Sequence, residues 1–249
     1  MTAYPEKECY DANDLAAIIA LLRDPEAGCP WDKVQTHRSI RQNFLEETCE
    51  ALEAIDNDDP VLMQEELGDV LMQVVFHSCI EQERGSFTFS DVCDAVCRKL
   101  IYRHPHIFAR DAQQSRLNDW DALKNKEKGR RGLADELDTV PVTLPALMKA
   151  QKQQKRAARY GHAPDTAEAA RAACEAAGRE ARAALDEQTA GRLLFTLAGW
   201  LRCSGIDAEK ALDLYCKAYA AQARQDTENS AQAELPVTDI PTDTNDSRR

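Results

Sequence analysis

Apolar positions recur along this chain at intervals of three and four residues, and no stretch alternates apolar and polar residues as a half-buried strand would. The pattern predicts an all-α protein. A first helix is expected over residues 14–22, followed by a loop rich in helix breakers, Asp24-Pro25-Glu26-Ala27-Gly28-Cys29-Pro30-Trp31-Asp32. A second helix is predicted over 39–56, interrupted at Asn57-Asp58-Asp59-Pro60, and a third over 61–83, ending before Gly85. Ser90 is placed to cap a fourth over 91–103, and a shorter helix is expected over 118–128. Residues 124–139, highly charged and holding Gly129 and Gly132, read as a solvated linker. Pro145 opens a basic helix over 146–160, and an alanine-rich region, 166–223, supplies two or three more. Residues 224–249 are polar, with two prolines and no large apolar cluster, and are expected to be disordered.

Two of these helices carry paired carboxylates. In the second, Phe44, Leu45, Thr48, Ala51, Leu52 and Ile55 form one stripe at about 100° per residue and are expected to face the core. Glu47 and Glu50 are i,i+3 neighbours at the edge of that stripe, Glu46 lies beside Glu50 at i,i+4, and Glu53 points towards solvent. In the third, Glu66 and Asp69 are again i,i+3, after which the helix reads as apolar almost all round. A carboxylate entering such a core is costly unless a cation compensates it. Gly68, about 1 kcal/mol worse than Ala in a helix interior, is expected to admit close approach of a neighbouring helix or a ligand. Two antiparallel helices would bring both pairs together, and four oxygen ligands suit a hard cation such as Mg²⁺ or Mn²⁺. A di-iron bundle uses Glu-x-x-His repeats; the third residues on are here Glu50 and Asp69, which argues against iron. The competing reading is a set of solvated acidic faces. It is the better one for any single Glu, whereas the pairing beside an apolar segment favours a site.

Charge narrows the partners. Lys+Arg total 31 against 43 Asp+Glu, a formal net charge of −12. A nucleic-acid polymer or an anionic membrane would repel such a chain, whereas a single nucleotide held through metal ions would not be excluded. The longest apolar run, 15–22, is far short of the roughly 20 residues that span a bilayer, and the first eight residues lack the layout of a signal peptide. Nine cysteines, scattered and odd in number, read as reduced thiols of a cytoplasmic protein. Cys93 and Cys97 have no second pair nearby, so a zinc site is not expected. At 249 residues the chain can hold one large domain or two small ones.

Glu46-Glu47-x-x-Glu50, fifteen intervening residues and Glu66-x-x-Asp69 resemble the motif of the all-α nucleoside triphosphate pyrophosphohydrolases. The surroundings resemble the MazG family within that group. They are the loop Leu22-Arg23-Asp24-Pro25 to Gly28-Cys29-Pro30-Trp31-Asp32, then Lys99-Leu100 with Arg103-His104-Pro105-His106-Ile107-Phe108. Trp120 and Lys124 follow, and then Leu144-Pro145-Ala146-Leu147 continuing to Lys155-Arg156-Ala157. The resemblance is dense over 15–161. It implies a MazG-like helical bundle, usually a homodimer, that hydrolyses nucleoside triphosphates to monophosphate and pyrophosphate with Mg²⁺. By the resemblance Glu47, Glu50, Glu66 and Asp69 are metal ligands, and Glu46 is a further ligand or the group that orients the attacking water, with Glu46 and Glu47 the catalytic candidates. Lys99 and Arg103 would then meet the phosphates and Trp120 would flank the base, with Lys124 and Trp31 as further substrate-binding candidates. Lys99 and Arg103 also fit a decorated helix surface, and both tryptophans fit core anchors. His104 and His106 flank a proline and read as a structural turn rather than as metal ligands.

Longer members of the family carry two copies of the bundle. Arg192-Leu193-Leu194-Phe195 resembles a second copy of Asp69-Val70-Leu71-Met72, so Asp69 becomes Arg192 and Glu66 becomes Thr189. Upstream only Glu175 and Glu180 remain, at i,i+5. The expected organisation is a catalytic helical domain over 10–128 and a linker with a connector helix over 129–165. A degenerate, metal-free second repeat over 166–223 and a tail over 224–249 complete it. The alternative function is a weak or inactive nucleotide-binding protein that keeps the fold; a diphosphatase for a narrower or non-nucleotide substrate is a third.

Overall fold

A computed structural model describes residues 4, 6–108 and 132–233. The chain divides into two compact units, one ending at Lys124 and the other starting at Asn125. All regular elements among the described residues are helical.

The first unit holds α1 (Ala12–Leu22), a 3₁₀ turn (Asp32–Val34), α2 (Arg41–Asp56), α3 (Pro60–Glu83), α4 (Phe89–Arg103) and the short α5 (Pro105–Phe108). Its organising element is α3, against which α1, α2 and α4 all pack. The core joins Ile19 and Ile40 to Val75, Phe76, Cys79 and Ile80. Three of the helix starts have a local cause. Asp11 and Asp14 form a capping box at α1. Asp59 caps α3 by accepting from the Val61 and Leu62 N–H groups, with Pro60 in the first turn, where its missing N–H costs nothing. The fourth helix starts earlier than expected. Thr88, not Ser90, is its N-cap and makes a capping box with Asp91.

The α2–α3 hairpin is set by three residues. Asp58 adopts a left-handed φ of 51°, which Asp tolerates better than most non-glycine residues, and the Asp59 N–H reaches back to the Ala54 carbonyl at 3.1 Å. This tight link makes the helices antiparallel neighbours. Of the stripe expected to face the core, Ala51 does so. With Ala54, which lies outside the stripe, it is the buried part of α2, whereas Leu45, Leu52 and Ile55 are about half exposed. Two small residues let the backbones approach, and they rotate the seam away from the larger apolar side chains. Gly68 likewise has no neighbouring helix, because a Cβ there would meet nothing within 4 Å. Gly68→Ala is therefore expected to stabilise the metal-free chain by about 1 kcal/mol in urea denaturation, since only the glycine's helix penalty is removed.

The breaker-rich loop after α1 is pinned to α3 by Arg23, which is 6% exposed. Its guanidinium donates to both Glu83 carboxylate oxygens, at 2.6 and 2.8 Å, and to the Asp32 and Gln35 carbonyls at 2.7 and 3.2 Å. It also lies over the Phe76 ring.

The second unit holds α6 (Leu133–Asp138), α7 (Ala146–Ala158), α8 (Ala167–Ala183), α9 (Glu187–Cys203) and α10 (Ala208–Ala233). Here α8 and α9 form the tightest pair, with α7 against α9. Two expectations are corrected. The described part of the supposed solvated linker forms α6, packed on α7, with Glu136 1% exposed and held by Arg159 and the Tyr160 hydroxyl. The charges there answer charges on α7 rather than water. The tail expected from 224 is helical through Ala233, because no proline intervenes before Pro236 and local bonds such as Gln222 to Asp226 support the helix.

Candidate metal centre

Antiparallel packing of α2 on α3 brings the predicted pairs face to face. Glu47, Glu66 and Asp69 each offer a carboxylate oxygen within 4.8 Å of the others. Glu50, exposed at the rim, does not join that triplet, though its charge repels Glu66. Three of the four expected ligands thus converge. Glu46 is exposed, accepts a hydrogen bond from Gln42 at 3.2 Å and repels Glu47.

The electrostatics describe a place short of positive charge. Burial raises the Glu47 pKa, and repulsion from Asp69, Glu50 and Glu46 adds to it, opposed by the Gln73 amide. Burial also raises Glu66, with Glu50, Glu65 and Asp69 pushing the same way. Glu66 is 8% exposed, and its Oε2 has no hydrogen-bond partner. A buried carboxylate oxygen without a donor, among like charges, is unfavourable unless a cation offsets it. Oxygen-only donors at this spacing fit a hard divalent ion such as Mg²⁺ or Mn²⁺. No other group of three candidate ligands is found among the described residues.

The expected substrate contacts are only partly placed. Lys99 is half-buried and Arg103 is buried on α4, which packs on α3. Trp31 is 56% exposed on the loop before α2, not a core anchor. Trp120 and Lys124 lie outside the described residues. A cleft of about 730 Å³ between α1 and α3, lined by Arg23, Lys33, Cys79 and Glu83 among others, contains none of the carboxylates.

The sequence reading missed a polar network further along α3. His37 and His77 meet edge to edge, with Nδ1 atoms 2.7 Å apart and rings within 13° of coplanar. The far nitrogen of His37, Nε2, lies 2.6 Å from Glu81. Glu81 has its pKa lowered, first by His37, so it stays a carboxylate and an acceptor. Neutral His37 must then carry its proton on Nε2 and accept at Nδ1, which makes His77 the Nδ1 donor. Both tautomers follow from one carboxylate. Burial lowers the His77 pKa, and a proton gained by His37 would lower it further. Below the ordinary histidine value of about 6.5, the unfolded chain therefore binds a proton that the folded chain resists. Stability falls as pH drops through 6.5 and levels off below the folded pKa. Nitrogen-detected NMR titration should find His77 as the Nδ1–H tautomer at neutral pH, titrating below 6.5.

In the second unit, Arg192 on α9 pairs with Glu180 on α8 at 2.6 Å, both about half exposed.

Comparison with known proteins gives a match to the MazG nucleotide pyrophosphohydrolase domain over residues 35–108. A nucleoside triphosphate pyrophosphohydrolase/pyrophosphatase MazG of Thermotoga maritima is 38% identical over 203 residues, covering 80% of this chain and 78% of that one. A nucleoside triphosphate pyrophosphohydrolase of Escherichia coli is 47% identical over 150 residues, 59% of this chain and 57% of the relative. The uncharacterized protein YabN of Bacillus subtilis is 46% identical over 150 residues, but these are only 30% of its length. This chain thus matches little more than half the length of the Escherichia coli relative.

Proposed function

The chain belongs to the MazG family, and from that premise we propose that it hydrolyses nucleoside triphosphates to monophosphate and pyrophosphate at the α2–α3 carboxylates, with Mg²⁺. The observation that carries this reading is the convergence of Glu47, Glu66 and Asp69 around the orphaned Glu66 oxygen. Glu50 at the rim, whose charge acts on Glu66, is the fourth ligand of this reading. A bound divalent cation lowers the pKa of a coordinated water and neutralises charge on phosphoryl oxygens. The protein's own part is to hold the ligands, with Glu46 and Glu47 taking the water's proton. Lys99 and Arg103 on α4 are assigned to the phosphates and Trp120 to the base, with Lys124 and Trp31 as further substrate contacts.

The half-exposed Leu45, Leu52 and Ile55 of α2, together with Leu67 on α3, support a homodimer that covers them. No helix among the described residues is long and apolar enough to cross a membrane. All nine cysteines are free, in keeping with a cytoplasmic protein. A second reading, nucleotide binding without turnover, is favoured by the Arg192–Glu180 pair that replaces the carboxylates of the second unit.

The test is product analysis with purified chain, Mg²⁺ and a panel of canonical and modified triphosphates. Equal amounts of monophosphate and pyrophosphate are expected. Nucleotide binding without any product would transfer the conclusion to the second reading.

A further inference from the structure

Gln73 lies four residues beyond Asp69 on α3, so both side chains leave the same face of the helix. It is 6% exposed. Its amide acts on the Glu47 carboxylate across the helix pair, while its Oε1 is buried with no hydrogen-bond partner. An orphaned buried acceptor is unfavourable. Methionine, of similar length, would fill the same space without that cost, and α3 already uses Met72 beside it. The other orphaned side-chain oxygen on α3 is Glu66 Oε2. Two acceptors thus flank the same carboxylate cluster and both lack a donor. Neither can serve the other, because an ionised carboxylate and an amide carbonyl only accept. A cation is what offsets the Glu66 oxygen, whereas the neutral Gln73 Oε1 calls for a donor, and a water molecule at the centre is the one that suits it.

We propose that Gln73 is a positioning residue of the carboxylate centre, its amide bracing Glu47 and its Oε1 accepting a hydrogen bond from a water molecule bound there. The inference rests on the metal-centre reading above. It gives the buried polar group a purpose that packing alone does not, since a filler at this position would be apolar. Residues that orient a ligand or a bound water typically change metal affinity or activity by about 10–100-fold when lost.

The test compares the full wild-type chain with Gln73→Met in three measurements: melting without metal, Mn²⁺ binding by calorimetry, and kcat and KM for pyrophosphate release. Gln73→Met should melt no lower than wild type, because an unsatisfied buried group is removed. It should bind Mn²⁺ about tenfold more weakly and lose kcat, with KM for the nucleotide moving less than about twofold. Mn²⁺ binding within twofold of wild type overturns the proposal and leaves Gln73 a structural residue. If Gln73→Met does not fold, Gln73→Asn retains both polar groups but withdraws them by one methylene; wild-type Mn²⁺ binding by that variant is equally fatal. A wild-type chain that binds Mn²⁺ but releases no pyrophosphate refutes the catalytic reading alone. One that binds no Mn²⁺ refutes both.

Discussion

Replacing Asp69 by Asn is expected to cut pyrophosphate release by at least about 100-fold, since outer partners of a metal site alone cost about 10–100-fold. Asp69 is the α3 residue that offers an oxygen to the triplet and also repels Glu47. Its amide replacement keeps the shape, removes one ligand charge and relieves that repulsion. The variant should therefore be at least as stable as wild type without metal. Adding Mg²⁺ should raise the melting temperature of wild type, because a cation that binds only the folded state stabilises it by mass action. The same addition should do little for Asp69→Asn. Activity lost while metal-free stability is kept separates loss of the centre from loss of the fold. A variant that unfolds, or one that keeps full activity, contradicts the role given to Asp69.

Arg23→Ala is expected to destabilise the protein by about 3 kcal/mol in urea denaturation. Breaking a buried charge pair costs about 3–5 kcal/mol, and the low end applies because the Glu83 side chain is 48% exposed and can be rehydrated. What is lost outright is the clamp on the Asp32 and Gln35 carbonyls and the contact with Phe76. Against a typical total of about 5–15 kcal/mol, the loss is large. Arg23→Lys should recover little, since one ammonium cannot serve a carboxylate and two carbonyls in a fixed fork. Near-wild-type stability of Arg23→Ala would mean that the loop before α2 is held by other contacts.

Much of the first unit was legible in the sequence. The breakers Asn57-Asp58-Asp59-Pro60 and Gly85 bound α3 by local chemistry, and the i,i+3 spacing of both carboxylate pairs fixes which side chains share a face. The orientation of α2 was not legible. Periodicity finds an apolar stripe but cannot say which of its members meet this chain's core, and here Ala51 does, with Ala54 from outside the stripe, while the larger Leu45, Leu52 and Ile55 do not. The His37–His77 contact spans 40 residues and has no local signature. Part of its signal was nevertheless present: Asp69, Gln73, His77 and Glu81 follow one another at four-residue steps through an otherwise apolar helix. Polar residues kept on one helix face are costly unless they are partnered, and here they trace the line from the carboxylate centre to Glu81. The helical tail and the buried Glu136 were missed because charged, alanine-rich segments look solvated until their partners on neighbouring turns are known.

The central claim is that the chemistry resides in the first unit, at the carboxylates of α2 and α3. The most direct measurement is Mg²⁺-dependent pyrophosphate release by wild type, Glu47→Gln and Arg192→Ala side by side. The account predicts that Glu47→Gln loses release by about 100-fold or more while Arg192→Ala, which disrupts only an exposed ion pair, matches wild type. Release that survives Glu47→Gln, or that collapses with Arg192→Ala in a folded chain, would contradict it.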